Sequence, residues 1–386
     1  MATWRPQTFT KEATQADVDP QIVSSARKIG EAIVAVHPDF PPIFTLRHLA
    51  HLSDVDYGFL RAVVARRGID PYRVFKVRKR AVPGESFRRF RVICVPSPSL
   101  MQVQQWICKN ILALIRPHAS SVAYSKGNKL VEAARVHCEA RWLIKMDVRN
   151  FFESINEIAV YRVFRACGYQ ALVAFELTRI CTRIGDTSGR KNADRWAVTK
   201  KRDGIPDYAR VWKMGHLPQG APTSPMLANL AVRNFDLRLE NLADENGLYY
   251  TRYADDITLS SAADLKRGIA GGLIGQITHS MARHGLSPNA TKTRIVPPGA
   301  RRVVLGLLID GPTPRLTREF KLSMRQHLYY LEHEEVGPAA HAAARGFVAI
   351  VGMKNHLLGL AAFAKQIEPA YGDQVTARLL AVPWPV

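Results

Sequence analysis

The stretch RYADDITLS at 252–260 sets two aspartates side by side within an aromatic and β-branched run. Strand interiors disfavour Asp, and adjacent like charges repel each other. Two environments tolerate such a pair. One is a hairpin turn, whose geometry Asp accepts; the other is a site where something strongly positive sits between the carboxylates. A second apolar run, WLIKMDV at 142–148, also ends in an acid, Asp147. Pairing the two segments in one sheet brings three carboxylates together, and divalent cations need such convergent hard-oxygen donors. If strand alternation runs unbroken through the pair, Asp255 shares a face with Tyr253 and Ile257 while Asp256 points away. Asp255 is then the expected stronger ligand.

Charge narrows the partner. Against 33 Asp+Glu the 386 residues carry 54 Lys+Arg, a net charge of +21. Such an excess favours a polyanion, because each cation near a phosphate releases condensed counterions. The five cysteines, Cys94, Cys108, Cys138, Cys167 and Cys181, stand singly with no CxxC pair, which argues against a zinc ribbon or a disulfide framework. The apolar stretch 346–364 is interrupted by Lys354, Asn355 and His356 and is too polar for a clean membrane span. With no charged-then-apolar signal segment at its start, the chain reads as cytoplasmic and reduced, with no membrane partner.

A helix is expected near 20–36, followed by short helices in the apolar segment that the Pro-rich stretch after 37 introduces. RVFKVRK (73–79) and FRRFRVICV (87–95) alternate basic and apolar residues, predicting a hairpin with one basic face. LMQVQQWICKNILALI reads as an amphipathic helix that Pro117 follows. Helical patterns fill 156–181. A basic, polar segment spans 182–216, including Arg190, Lys191, Lys200, Lys201 and Arg202. One long helix is predicted after Pro222, ending at Gly247. VVLGLLID (303–310) reads as a single strand run, and 316–380 as helical.

A third pattern is LPQGAPTSPMLANL at 217–230. Pro218 and Gly220 fix a close backbone approach, and the prolines lead into a helix whose exposed Gln219, Thr223 and Ser224 donors suit a sugar or phosphate. Each pattern alone is weak. The strand aspartate with Phe152 five residues on, LPQGxPxSP and YxDD together, in this order, resemble the palm of reverse transcriptases. NATKT (289–293) and VVLGLLID look like later palm elements, and the segment from FRRFRVICV onward is similar to the fingers of bacterial retron-type enzymes.

The resemblance implies an α+β right-hand polymerase: an N-terminal extension at 1–40, fingers at 41–140, a palm at 141–312 with the basic insertion 182–216, and a helical thumb at 313–386. It implies RNA-directed DNA polymerase activity with two Mg²⁺ held by Asp147, Asp255 and Asp256. Phe152 would exclude a 2′-hydroxyl, Gln219 would line the nucleotide pocket, Arg89 and Arg91 would reach the triphosphate, and Lys292 would lie near the phosphates. The implied partners are a noncoding RNA template-primer, its RNA–DNA hybrid, deoxynucleoside triphosphates and an effector protein in anti-phage defence. Two elements associated with the template-primer RNA depart from the retron pattern: Ala133 replaces an Asn in AARVH, which keeps Ala134 and His137, and Leu305 replaces a Thr between Val304 and Gly306. Two alternatives remain open here: a reverse transcriptase of another bacterial class, and a non-catalytic RNA-binding scaffold.

Overall fold

The structure, a computed structural model, describes residues 4–68, 70–78, 90–124, 130–185 and 214–385. Arg89 and residues 186–213 of the basic segment lie outside the described residues.

Four helices open the chain: α1 (Pro6–Gln15), α2 (Pro20–Val36), α3 (Leu46–Ser53) and α4 (Tyr57–Ala65). Three of them begin on a side-chain cap, with Asp19, Thr45 and Asp56 accepting from backbone amides of the first turn. Strands β1 (Tyr72–Arg78) and β2 (Phe90–Pro96) form an isolated antiparallel pair. The expected single basic face is not formed. The register sets Arg73 opposite Val95 and Arg91 opposite Val77 on one face, with Lys76 and Arg78 on the other. Val74, Phe75, Val77, Phe90 and Val92 are all exposed, because among the described residues no second layer covers this ribbon.

A four-stranded antiparallel sheet occupies the centre in the order β4-β5-β3-β6, built from β3 (Trp142–Asp147), β4 (Tyr249–Tyr253), β5 (Asp256–Ser261) and β6 (Arg294–Val296). β3 sits inside it, which explains its unalternating apolar run. Helices α5 (Pro98–Asn110), α7 (Phe151–Ser154), α8 (Glu157–Ala166) and α9 (Ala171–Cys181) share the largest apolar core with this sheet, through residues such as Ile107, Phe151, Phe164, Leu177 and Ile257. Short α6 (Leu130–Arg135) packs in a second cluster with Leu143, Val304 and Leu307.

The long helix predicted after Pro222 is two helices. It turns at Val232 (φ −101°, ψ 13°) between α10 (Ser224–Ala231) and α11 (Arg233–Glu245), each burying its own stripe, Leu227 with Leu230 and Phe235 with Leu239. α12 (Arg267–Arg283) follows the central hairpin. VVLGLLID is likewise not one strand. Leu305 (φ 51°) and Gly306 (φ 82°) make a two-residue turn that folds β7 (Val303–Val304) onto β8 (Leu307–Leu308), with β9 (Arg315–Leu316) beside it. The C-terminal helices α13 (Arg318–Glu332), α14 (Gly337–Ala344), α15 (Ile350–Ile367) and α16 (Pro369–Ala381) enclose their own core around Met324, Leu328, Met353, Leu357 and Leu379. Among the described residues all five cysteines are free thiols, and no helix is long and apolar enough to cross a membrane.

Candidate active site

Register builds the acidic centre. β3 and β5 run antiparallel with Asp147 directly opposite Asp256. β4 pairs Tyr253 with Asp256, so Ala254 and Asp255 form the two-residue turn between them, with Ala254 in the left-handed region at φ 54°. Asp255 holds the turn to the neighbouring strand through its carbonyl, which accepts from the Val148 amide at 2.9 Å. The alternation that favoured Asp255 therefore stops at Tyr253 and does not rank the two acids. The turn expectation for the pair is met, and the same turn sets Asp255 and Asp256 beside the strand end that carries Asp147.

Electrostatics record the crowding. Loss of hydration raises the pKa of Asp255, and the negative charges of Asp256 and Asp147 push it further. Asp256 is exposed. Partial desolvation still raises its pKa, with Lys145 opposing and Asp147 adding to the shift. The buried Asp147 carboxylate is already engaged. Asn289 Nδ2 donates to its Oδ1 at 2.8 Å, and the Lys292 ammonium meets Oδ2 at 2.5 Å. Lys292 lies on the short turn Ala290–Lys292 and is half exposed, so it is placed on the acidic centre rather than apart from it. Among the described residues no three His, Cys, Asp or Glu side chains stand close enough to hold a metal ion as they are; on Asp147 the positive group is Lys292.

Phe152, on α7, is half-buried, its ring 5.7 Å from that of Phe151 and 6.3 Å from Tyr124. Tyr124 holds a left-handed backbone (φ 62°) and sits 6.5 Å from the Tyr253 ring, so three aromatics from separate segments form a run of rings that ends at Tyr253, beside the acidic turn. Gln219 accepts from the Cys94 amide through its carbonyl at 2.7 Å, fastening its loop to β2, the strand that carries Arg91. Gly220 permits this: its φ is 114°, and a Cβ there would lie 2.9 Å from the Cys94 carbonyl oxygen. Thr223 and Ser224, expected to be exposed donors, are instead buried at 0% and 1%, because their helix start is packed into the core.

The sequence reading missed Arg252. Its side chain is fully buried, and all five guanidinium donors are used. Nε and Nη2 donate to the two Asp236 oxygens at 2.7 Å each, Nη1 to Ala254 O at 2.9 Å and Asn229 Oδ1 at 3.2 Å, and Nη2 also to Ser121 Oγ at 2.8 Å. The guanidinium also lies over the Phe151 ring at 5.4 Å. One side chain thus ties the acidic turn, the helix after the LPQG loop, and the helix that carries Phe152. A buried arginine demands an acid, but nothing local signalled that Asp236 on α11 supplies it.

His137 has a structural task. It is buried between Ser260 Oγ and Thr251 Oγ1, each 2.7 Å away, and so clamps the β4–β5 hairpin. Burial, aided by Lys145, lowers its pKa from 6.5 to about 4. The unfolded chain therefore takes up the proton first as pH falls. This group's contribution is intact above pH 6.5 and is lost between 6.5 and about 4, at a total of about 3 kcal/mol. The difference in urea midpoint between wild type and His137→Gln is expected to shrink across that window; a pH-independent difference would contradict the assignment.

Residues 77–309 match the family described as reverse transcriptase (RNA-dependent DNA polymerase). The retron Ec86 reverse transcriptase of Escherichia coli is 30% identical over 302 residues, covering 78% of this chain and 82% of that one. The retron Ec83 reverse transcriptase of Escherichia coli is 28% identical, covering 79% and 85% respectively. The retron Mx162 reverse transcriptase of Myxococcus xanthus is 27% identical over 75% of this chain, which spans 57% of that longer protein. With Asp147 opposite Asp256 in an antiparallel sheet set among helices, the chain belongs to the reverse transcriptase family, as a retron-type RNA-directed DNA polymerase with the α+β right-hand fold.

Proposed function

We propose that this polymerase copies a structured noncoding RNA, acting as both template and primer, into single-stranded DNA that stays joined to the RNA as msDNA. The carrying observation is the cross-strand pairing of Asp147 with Asp256 and the placement of Asp255 in the adjoining turn. In this reading 41–140 are the fingers, 141–312 the palm and 313–386 the thumb, behind an extension at 1–40. The separate apolar core of the last four helices supports the thumb boundary. The product works with an effector protein in anti-phage defence inside the cytoplasm.

Asp147, Asp255 and Asp256 are the residues that would hold two Mg²⁺. Their oxygen donors suit a hard cation, and a bound cation would offset the raised proton affinity of the adjacent pair, which comes first from loss of hydration and then from neighbouring carboxylate charge, that of Asp147 included. When bound, the ions supply positive charge that acidifies the primer hydroxyl and stabilises the departing pyrophosphate. The chain's own contribution is positioning and charge. Lys292, Arg91 and Arg89 bring positive charge to the triphosphate, and Gln219 borders the incoming nucleotide. Phe152, braced by Phe151 and Tyr124, fills the space a 2′-hydroxyl would take. Phe152→Val is expected to raise ribonucleotide incorporation relative to deoxynucleotide by about 10–100-fold, the range a single pocket contact discriminates; an unchanged ratio would remove Phe152 from the gate.

Purified protein given poly(rA) annealed to oligo(dT), dTTP and Mg²⁺ tests the polymerase step. Template-dependent extension that EDTA abolishes is expected. No extension under these conditions would contradict the proposal.

A further inference from the structure

α11 and α12 enclose a cleft of about 700 Å³ lined by Arg238, Gly272, Gly275, His279, Ser280 and Arg283 among others. A second cleft of about 710 Å³ shares Arg283 and His284 with it and adds Arg162 and Arg233. Among the described residues no acidic side chain lines either cleft, and none of Asp147, Asp255, Asp256, Gln219 or Lys292 belongs to them. The four arginines are exposed. The surface is thus a continuous basic groove outside the acidic centre.

Two further features have no explanation among the described residues. α12 carries Gly268 in its first turn and Gly271, Gly272 and Gly275 further in, the last three each costing roughly 0.5–1 kcal/mol in a helix interior. A Cβ at any of the four would meet nothing within 4 Å, so no internal packing requires them. Gly272, Gly275, His279 and Arg283 follow one another at three- and four-residue spacing, forming a single stripe that faces the cleft. Ser280 also lines it, is only 8% exposed, and has a hydroxyl without a hydrogen-bond partner. A bare helix backbone, an unsatisfied hydroxyl and flanking arginines suit a ribose-phosphate strand laid closely along the helix.

We propose that the α11–α12 groove is a docking site for the phosphodiester backbone of folded RNA, separate from the polymerase centre. The proposal rests on the reading of the chain as an RNA-directed polymerase, since that activity supplies the RNA. Arginine contacts to phosphate and a smooth helix floor recognise backbone shape rather than sequence. Folded parts of the template-primer held here leave the acidic centre free for the growing end.

The test uses the full chain, an RNA hairpin of about 20 base pairs and arbitrary sequence, and extension of oligo(dT) on poly(rA). Arg238→Glu with Arg283→Glu is expected to weaken hairpin binding at least ~10-fold and to flatten its salt dependence by about two units of log–log slope, with extension retained. Gly272→Leu with Gly275→Leu blocks the floor without changing charge and adds better helix formers, so the same loss is expected without unfolding. Lys11→Glu with Lys28→Glu, exposed on α1 and α2, makes the same change in net charge and is expected to bind as wild type. Wild-type binding by either cleft variant, or an equal loss in the charge control, overturns the proposal. Failure of the wild type to extend oligo(dT) would instead contradict the polymerase reading, while the binding arm still reports on the groove.

Discussion

Alanine at both Asp255 and Asp256 is expected to reduce Mg²⁺-dependent incorporation of the first deoxynucleotide by about three orders of magnitude or more. That is the several kcal/mol of charge stabilisation that bound cations contribute to such a transfer. RNA binding is expected to persist, because removing two negative charges from a basic protein does not weaken its attraction to phosphate. Folding is also expected to survive. The turn is anchored by backbone contacts, the Asp255 carbonyl to the Val148 amide and the Ala254 carbonyl to Arg252, neither of which needs the carboxylates. Their mutual repulsion disappears with them. Single-turnover incorporation with a filter-binding control separates the two effects; substantial synthesis by the double variant would contradict the assigned centre.

Arg252→Met is expected to destabilise the fold by about 3–5 kcal/mol, because Asp236 is left as a buried and unpaired charge. The companion substitution Asp236→Leu is expected to restore much of that loss, since an apolar pair of similar bulk can replace a buried ion pair. Activity should not return with stability. The double variant still lacks the donor on Ala254 O, the link to Asn229 and the cation over Phe151. Urea midpoints and kcat measured on both variants check this. Recovery of both together would mean that Arg252 serves stability alone and does not position the acidic turn.

The legible part of the fold was its local patterning. β3 showed itself as an apolar run ending in Asp147, α5 by its amphipathic spacing, and the central hairpin by the strand runs around the aspartates. Boundaries set by backbone angle were not legible. Leu305 in the left-handed region turns one apparent strand into a hairpin, and a residue with a bulky side chain gives little warning of that conformation. The break at Val232 is similarly silent, because residues on both sides have helical preference. At the site, the residue types of Asp147, Asp255 and Asp256 were readable, but their relation depended on register, which placed Asp256 rather than Asp255 opposite Asp147. The contacts of Arg252 with Ser121, Asn229 and Asp236 join distant segments, and no local spacing encodes such meetings. The burial of Thr223 and Ser224 had the same origin: a helix start that reads as an open phosphate site is closed by the core beneath it.

Sequencing the nucleic acid that co-purifies with the protein from cells carrying its native locus decides whether the enzyme makes RNA-linked DNA. Single-stranded DNA covalently joined to a structured RNA through an internal 2′-hydroxyl is expected, as is its loss when Asp255 and Asp256 are both alanine. Recovery of RNA alone, or of DNA with no RNA linkage, would contradict the proposed function.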